Sequence, residues 1–322
     1  MDFNFFKKKY ILYTCGLFLF IIVTKILSTI DVYYTEKIKT TNPDGTSSFK
    51  INKISHKLLS SNNKHIVDIN GEKFCVYVYP GYKRKKKKGT IVILPGYSYF
   101  DYKNNRKKYS PHDDFKKLID HLSDKYRVVV IEYYGYSKSD NTDRKRSAGE
   151  ICHEINYTMH LLGIKKYILM PHSISGFYAM QYINTYPEEV EGLIGIDITL
   201  PYYFLEEYES NEKFLEHKFN DDGRKIPEAY KNMYTYFWET AKSLEDFKLP
   251  ETLPVTLFTS TQLIKYIDKE IADGTLKTRV EDYLYDMITN DKIQHINILE
   301  GTHYLHDTQS KTMAEKIKEK FL

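Results

Sequence analysis

The sequence predicts an α/β domain: a mostly parallel sheet with helices on both faces. Three observations carry that prediction. First, short and mostly apolar runs recur at Thr90–Leu94 (TIVIL), Arg127–Glu132 (RVVVIE), Lys166–Met170 (KYILM) and Val190–Ile196 (VEGLIGI). Strands without an alternating polar face must be covered on both sides, which is the condition of a parallel sheet. Second, the runs alternate with stretches of helical period, so each strand is followed by a crossover helix. Third, 322 residues with 42% hydrophobic and 28% charged content are enough for one large domain, with or without an insertion.

Taken in order, the chain opens with Lys7-Lys8-Lys9 and then an uncharged run over 10–24, YILYTCGLFLFIIVT. That run is 15 residues, and 21 if counted through Lys25 to Ile30. A membrane span needs about 20, and the stem of Lys25 is long enough to let its ammonium reach the interface. A retained signal anchor over 1–30 is the leading reading. A cleaved signal peptide followed by secretion, and a buried or interfacial helix, are its alternatives. The lysines would stay in the cytoplasm and the remaining chain would face the extracytoplasmic side. Residues 31–65 are polar and read as a spacer or a small β excursion, with a turn signal at Asn42-Pro43-Asp44-Gly45. The folded domain is expected over 66–322.

Within it, Ile66–Gly81 reads as a hairpin around Asn70-Gly71. Pro111–Asp124 is helical, with Phe115, Leu118, Ile119 and Leu122 on one face. Ser147–Leu162 is helical too, and Ser147 with Glu150 makes a capping box. Ser175–Tyr186 is a helix that stops before Pro187. Residues of about 200–252 break the rhythm. They are aromatic and charged, hold the single tryptophan, Trp238, and read as a helical cap inserted over one edge of the sheet. The alternation resumes with a strand at Val255–Thr259, a helix near Val280–Asn290, a strand at Gln294–Leu299 and a last helix to Leu322.

The net charge of +4 falls well short of a nucleic-acid-binding signature. Much of the excess is local, in Lys7–Lys9 and in Lys83–Lys88, where position 84 is Arg. The second run reads as a solvated loop tip, with contact to an anionic membrane surface as the alternative. The three cysteines, Cys15, Cys75 and Cys152, have no metal-like spacing, and nothing in the sequence supports a disulfide. No glycine-rich nucleotide loop is present, so no cofactor is expected.

The chemistry concentrates in Tyr167–Met180, YILMPHSISGFYAM, where a strand runs into a tight turn and a helix follows at once. That is the setting of a nucleophile elbow. The residues two before and two after the nucleophile must be small. Ser173 has Pro171 and Ser175 there, whereas Ser175 would have Phe177, so Ser173 is the candidate. An N-cap serine is the structural alternative.

Four landmarks in order resemble the α/β-hydrolase family over roughly 66–322. PHSISG stands where the family has G-H-S-x-G-G. Leu94-Pro95-Gly96-Tyr97 resembles its H-G-x oxyanion turn. Glu132-Tyr133-Tyr134-Gly135-Tyr136-Ser137-Lys138-Ser139 resembles its D-x-x-G-x-G-x-S segment. Gly301-Thr302-His303 follows the last strand, where the family keeps its catalytic histidine. The departures are Pro95, Pro171 and Ser175. The resemblance implies acyl transfer, with Ser173 as nucleophile, His303 as base, and the N–H groups of Tyr97 and Ile174 as oxyanion hole. His306 and His172 are the rivals of His303. The usual place for the acid, after Val255–Thr259, holds Ser260-Thr261-Gln262 instead. Asp197, at the end of the preceding strand, is therefore the candidate acid and Asp268 the alternative.

The expected function is a serine hydrolase, esterase- or lipase-like, acting on a small-molecule ester, thioester or amide. A peptidase or acyltransferase with the same triad, and a catalytically inactive binding module at a membrane surface, are the alternatives. The oligomeric state is not legible in the sequence.

Overall fold

The computed structural model describes residues 32–41, 47–58, 63–79, 89–97, 109–208, 210–216 and 226–321, with backbone alone for 32–58. The segment over 1–30, the turn at Asn42–Gly45 and the basic run at Lys83–Lys88 lie outside the described residues. Among the described residues no helix is long and apolar enough to cross a membrane.

Among the described residues the strands form a single ten-stranded sheet. In chain order its strands are β1 (Val32–Thr41), β2 (Ser47–Leu58), β3 (Lys64–Ile69), β4 (Glu72–Tyr79), β5 (Thr90–Leu94), β6 (Arg127–Glu132), β7 (Tyr167–Pro171), β8 (Val190–Ile196), β9 (Val255–Ser260) and β10 (Gln294–Leu299). In space the order is β1-β2-β3-β4-β6-β5-β7-β8-β9-β10. The strands from β6 to β10 in that spatial order are parallel, and those before β6 pair antiparallel. The β3–β4 hairpin turns on Asn70 (φ 58°) and Gly71 (φ 87°), two successive left-handed residues that match the right-handed twist of the strands they join.

Successive residues of the central strands supply both faces. Val92, Leu94, Val129, Ile131 and Leu169 belong to one core. Ile91, Ile93, Val128, Val130, Ile168 and Met170 belong to the other. The second core is covered by α1 (Pro111–Asp114), α2 (Lys116–Leu122) and α12 (Ser310–Lys320), which present Leu118, Ile119, Leu122, Met313 and Ile317. The first is covered by α3 (Ala148–Leu161) and α4 (Ser175–Thr185). Four short helices also pack onto this first core: α5 (Pro201–Glu207), α6 (Asn211–Glu216), α7 (Glu228–Thr235) and α8 (Phe237–Ser243). Aromatic contacts knit them together: Phe204 is edge-on to Phe214 at 5.2 Å, and Phe214 stacks on Tyr234 at 4.4 Å. Among the described residues twelve tyrosines are buried, Tyr133, Tyr136, Tyr178 and Tyr182 among them, so many of the rings serve as core.

Some boundaries differ from the sequence reading. The helix expected at Pro111–Asp124 is two, because Phe115 leaves the helical conformation between them. The last helix is likewise split into α11 (Leu305–Thr308) and α12 at Gln309. A helix not anticipated, α9 (Thr261–Ala272), precedes α10 (Val280–Met287). Cys75 and Cys152 are both buried free thiols.

Strand β5 has β6 on one side and β7 on the other, so the chain reverses its direction of winding there. Crevices outside the carboxyl ends of strands form at such points. The carboxyl ends of β5, β7, β8, β9 and β10 lead into Pro95–Tyr97, Ser173, Asp197, Ser260 and the His303 loop respectively.

Candidate functional site

Ser173 is held on the bend between β7 and α4 with φ of 55°, a region that non-glycine residues visit rarely. Both sides of the bend are pinned by backbone. His172 N–H donates to Leu94 O, Ser173 N–H to Ile196 O, and Thr199 N–H to Ser173 O, each at 3.0 Å. Such a conformation costs about 1–3 kcal/mol and persists where the surroundings over-determine it. Space around the bend is minimal. A Cβ on Gly176 would lie 2.9 Å from Thr199 O, and one on Gly96 would lie 3.0 Å from the Cβ of Ser173.

Ser175, the rival serine, is fully buried. Its hydroxyl donates to Pro95 O and bonds to the Tyr133 hydroxyl, so it ties the bend to the turn after β5 and does not face the cavity.

Asp197 follows β8, also at positive φ (41°), and its side chain is fully buried. Oδ1 accepts from Ser260 N–H at 2.6 Å. Oδ2 accepts from the Ser260 hydroxyl at 2.5 Å and from His303 Nδ1 at 3.2 Å. With Nδ1–H committed to the carboxylate, the lone pair of the imidazole is on Nε2. The His303 side chain is 35% exposed, at the mouth of the site. Its backbone is fixed on both sides: its N–H donates to Gln262 Oε1 at 2.8 Å, and its carbonyl accepts from His172 Nε2 at 2.9 Å. Asp268, the alternative acid, is exposed on α9.

The other histidines are structural neighbours. His306 is fully buried, bonded to Asp114 at 2.9 Å and stacked on Phe115 at 3.9 Å. His172 packs under His303, ring to ring at 4.6 Å. Burial, then the imidazoles of His303 and His306, hold His172 well below the usual histidine range. A carbonyl can only accept, so neutral His172 carries its proton on Nε2.

A cavity of about 450 Å³ brings together Ser173, Asp197, His303, Tyr97 and Ile174, the five residues singled out in the sequence. Gln262 and Thr199 add polar edges, and Tyr203, Phe204, Tyr208, Phe214, Tyr234 and Phe237 make aromatic walls. Among the described residues, no backbone carbonyl takes the Ile174 N–H, which stands at the start of α4. Two participants were not recognised from sequence, Ser260 and Gln262. The signal was there, since SerThrGln fills the place where the family resembled keeps its acid. The structure shows that this serine, instead of supplying a carboxylate, grips the one arriving from β8.

No cluster of metal-binding side chains occurs among the described residues.

The profile of a protein family described as alpha/beta hydrolase fold matches residues 89–250. An uncharacterized protein of Bacillus subtilis, YbdG, is 29% identical over 141 residues, which are 44% of this chain and 39% of that protein. Epoxide hydrolase 1 of Caenorhabditis elegans is 34% identical over 112 residues, 33% of this chain and 28% of the relative. The matches therefore span well under half the length of these curated relatives. Among solved structures, an esterase from Exiguobacterium antarcticum superposes with a TM-score of 0.55 at 15% identity, covering 81% of this chain and 99% of the esterase. That likeness is one of fold. With half of the chain under the family profile, and the strands in a mostly parallel sheet, the chain belongs to the α/β-hydrolase family.

Proposed function

We propose that this hydrolase is a serine hydrolase that cleaves a carboxylic ester, thioester or amide through an acyl-enzyme. The observation that carries the reading is the buried Asp197 carboxylate bonded to His303 in the cavity that Ser173 lines from its bend. Ser173 Oγ attacks the carbonyl carbon of the substrate. His303 Nε2 takes the hydroxyl proton and returns it to the departing alcohol, thiol or amine. Water, activated by the same imidazole, then releases the acid and restores the serine. Asp197 keeps the ring in the tautomer this requires and stabilises the imidazolium that forms.

The oxyanion is received by the N–H groups of Ile174 and Tyr97, each worth about 10²–10³ in kcat. The start of α4 adds the positive end of its dipole. The short helices between Pro201 and Ser243 act as a cap, and their aromatic walls fit a small apolar or aromatic acyl substrate.

Labelling with a fluorophosphonate probe tests the reading. The folded wild type should label, and Ser173→Ala should not. A wild type that is folded and resists labelling would favour the inactive binding module. Product analysis with ester and peptide substrates separates an esterase from a peptidase or acyltransferase.

A further inference from the structure

We propose that Tyr136 is a positioning residue that aims the N–H of Tyr97 into the catalytic cavity. The inference rests on the serine-hydrolase reading and concerns how its oxyanion hole is held in shape.

The argument begins with the peptide between Gly96 and Tyr97. It is trans and planar, so its carbonyl and its N–H point in opposite directions. Fixing one fixes the other. The Gly96 carbonyl accepts a buried hydrogen bond from the Tyr136 hydroxyl at 3.0 Å. The opposite direction therefore belongs to the Tyr97 N–H. The Ser173 side lies close by: the missing Cβ of Gly96 would sit 3.0 Å from the Cβ of Ser173, and Tyr97 lines the cavity.

The hydroxyl is itself delivered rigidly. Tyr136 is 2% exposed, with its ring edge-on to Tyr133 at 5.6 Å and to Tyr109 at 5.7 Å. Tyr136 N–H donates to Tyr133 O and Ser139 N–H to Tyr136 O, a compact turn that ends β6. The neighbouring carbonyl, that of Pro95, accepts from the Ser175 hydroxyl. Two successive carbonyls of the turn thus bond to hydroxyls in the core, one from the segment after β6 and one from α4. Gly96 needs this support because, without a side chain, its backbone is free to rotate the peptide. A rotated peptide would turn a carbonyl oxygen toward the developing oxyanion, replacing an attraction with a repulsion. The ground-state ester carries no such charge, so the effect falls on the transition state.

Tyr136→Phe removes the hydroxyl and keeps the ring with its aromatic contacts. Tyr178→Phe is the control, since the Tyr178 hydroxyl is buried in the same core with no hydrogen-bond partner among the described residues. With a p-nitrophenyl ester, kcat of Tyr136→Phe should fall roughly 10- to 100-fold, short of outright loss of a donor, with KM changed by less than about threefold. Affinity for an alkylboronic acid, whose tetrahedral adduct places an oxygen in the same hole, should fall by the same factor as kcat. Melting temperatures measured in parallel show that both variants are folded at the assay temperature. A Tyr136→Phe enzyme with wild-type kcat, or one whose lost activity is unaccompanied by weaker boronate binding, overturns the inference while leaving the serine mechanism standing. A wild type that neither labels nor turns over overturns both.

Discussion

Ser260→Ala probes the grip on the Asp197 carboxylate. One atom is lost, and it has two duties. Ser260 Oγ donates to Asp197 Oδ2 and accepts from Leu263 N–H at 3.1 Å as the N-cap of α9. A hydrogen bond to a buried charged group contributes about 1.5–3 kcal/mol, and an N-cap about 1 kcal/mol. The two share one hydroxyl, so the expected destabilisation is about 2–4 kcal/mol, a lowering of Tm by roughly 5–10 °C for a domain of this size. The carboxylate keeps the Ser260 N–H bond and its contact to His303, so the acid is loosened and not lost. We expect kcat to drop about tenfold, equivalent to 1.4 kcal/mol, against the roughly 10⁴ that removing a triad acid costs. The assay is turnover of a p-nitrophenyl ester beside a thermal melt, in wild-type and Asp197→Asn backgrounds. The second background should absorb most of the Ser260 effect on kcat, because the two side chains act through one contact. Strict additivity of the two substitutions, or an unchanged Tm in Ser260→Ala, would refute the reasoning.

Two further outcomes follow from the packing behind the bend at Ser173. Gly96→Ala places a Cβ 2.7 Å from His172 Nδ1, and the His172 ring is tethered to the His303 carbonyl, so relief is costly. We expect about 1–3 kcal/mol of destabilisation in a chemical-denaturation curve, together with slower fluorophosphonate labelling; a variant as stable and as reactive as wild type would contradict the close approach. His172 gives a pH dependence whose sign is fixed by its depressed folded value. It is neutral when folded and protonates when unfolded below about pH 6.5, so its contribution is complete above that pH and is lost at about 1.4 kcal/mol per unit as pH falls. Stability of wild type between pH 7 and 5 should therefore decline more steeply than that of His172→Gln; parallel curves would show that the ring is not held neutral.

The local order of this protein was legible in its residues. Four-to-six-residue apolar runs dictate strands buried on both faces, and Ile91–Leu94 shows why, since its side chains feed both cores alternately. Asn70-Gly71 and the Ser147 cap are local signals read by local physics. The preference for Ser173 over Ser175 also followed from sequence, because the bulk of Phe177 two residues on is a local steric fact. Helix α9 was not read from the sequence: of Leu263, Ile264, Ile267 and Ile271 only Ile267 is fully buried, so its apolar face is a narrow one.

The sequence put Asp197 ahead of Asp268 as the partner of His303, and tertiary structure decided between them. Asp197 and Asp268 differ little as residues. The parallel placement of β8 beside β9 puts Asp197 against Ser260 and His303, while the winding of α9 turns Asp268 to solvent. It also decided that Tyr136 reaches the Gly96 carbonyl from forty residues away. Sequence fixes what each segment can become; contacts between distant strand ends depend on register and on the order in which strands lie side by side, and no local pattern encodes either.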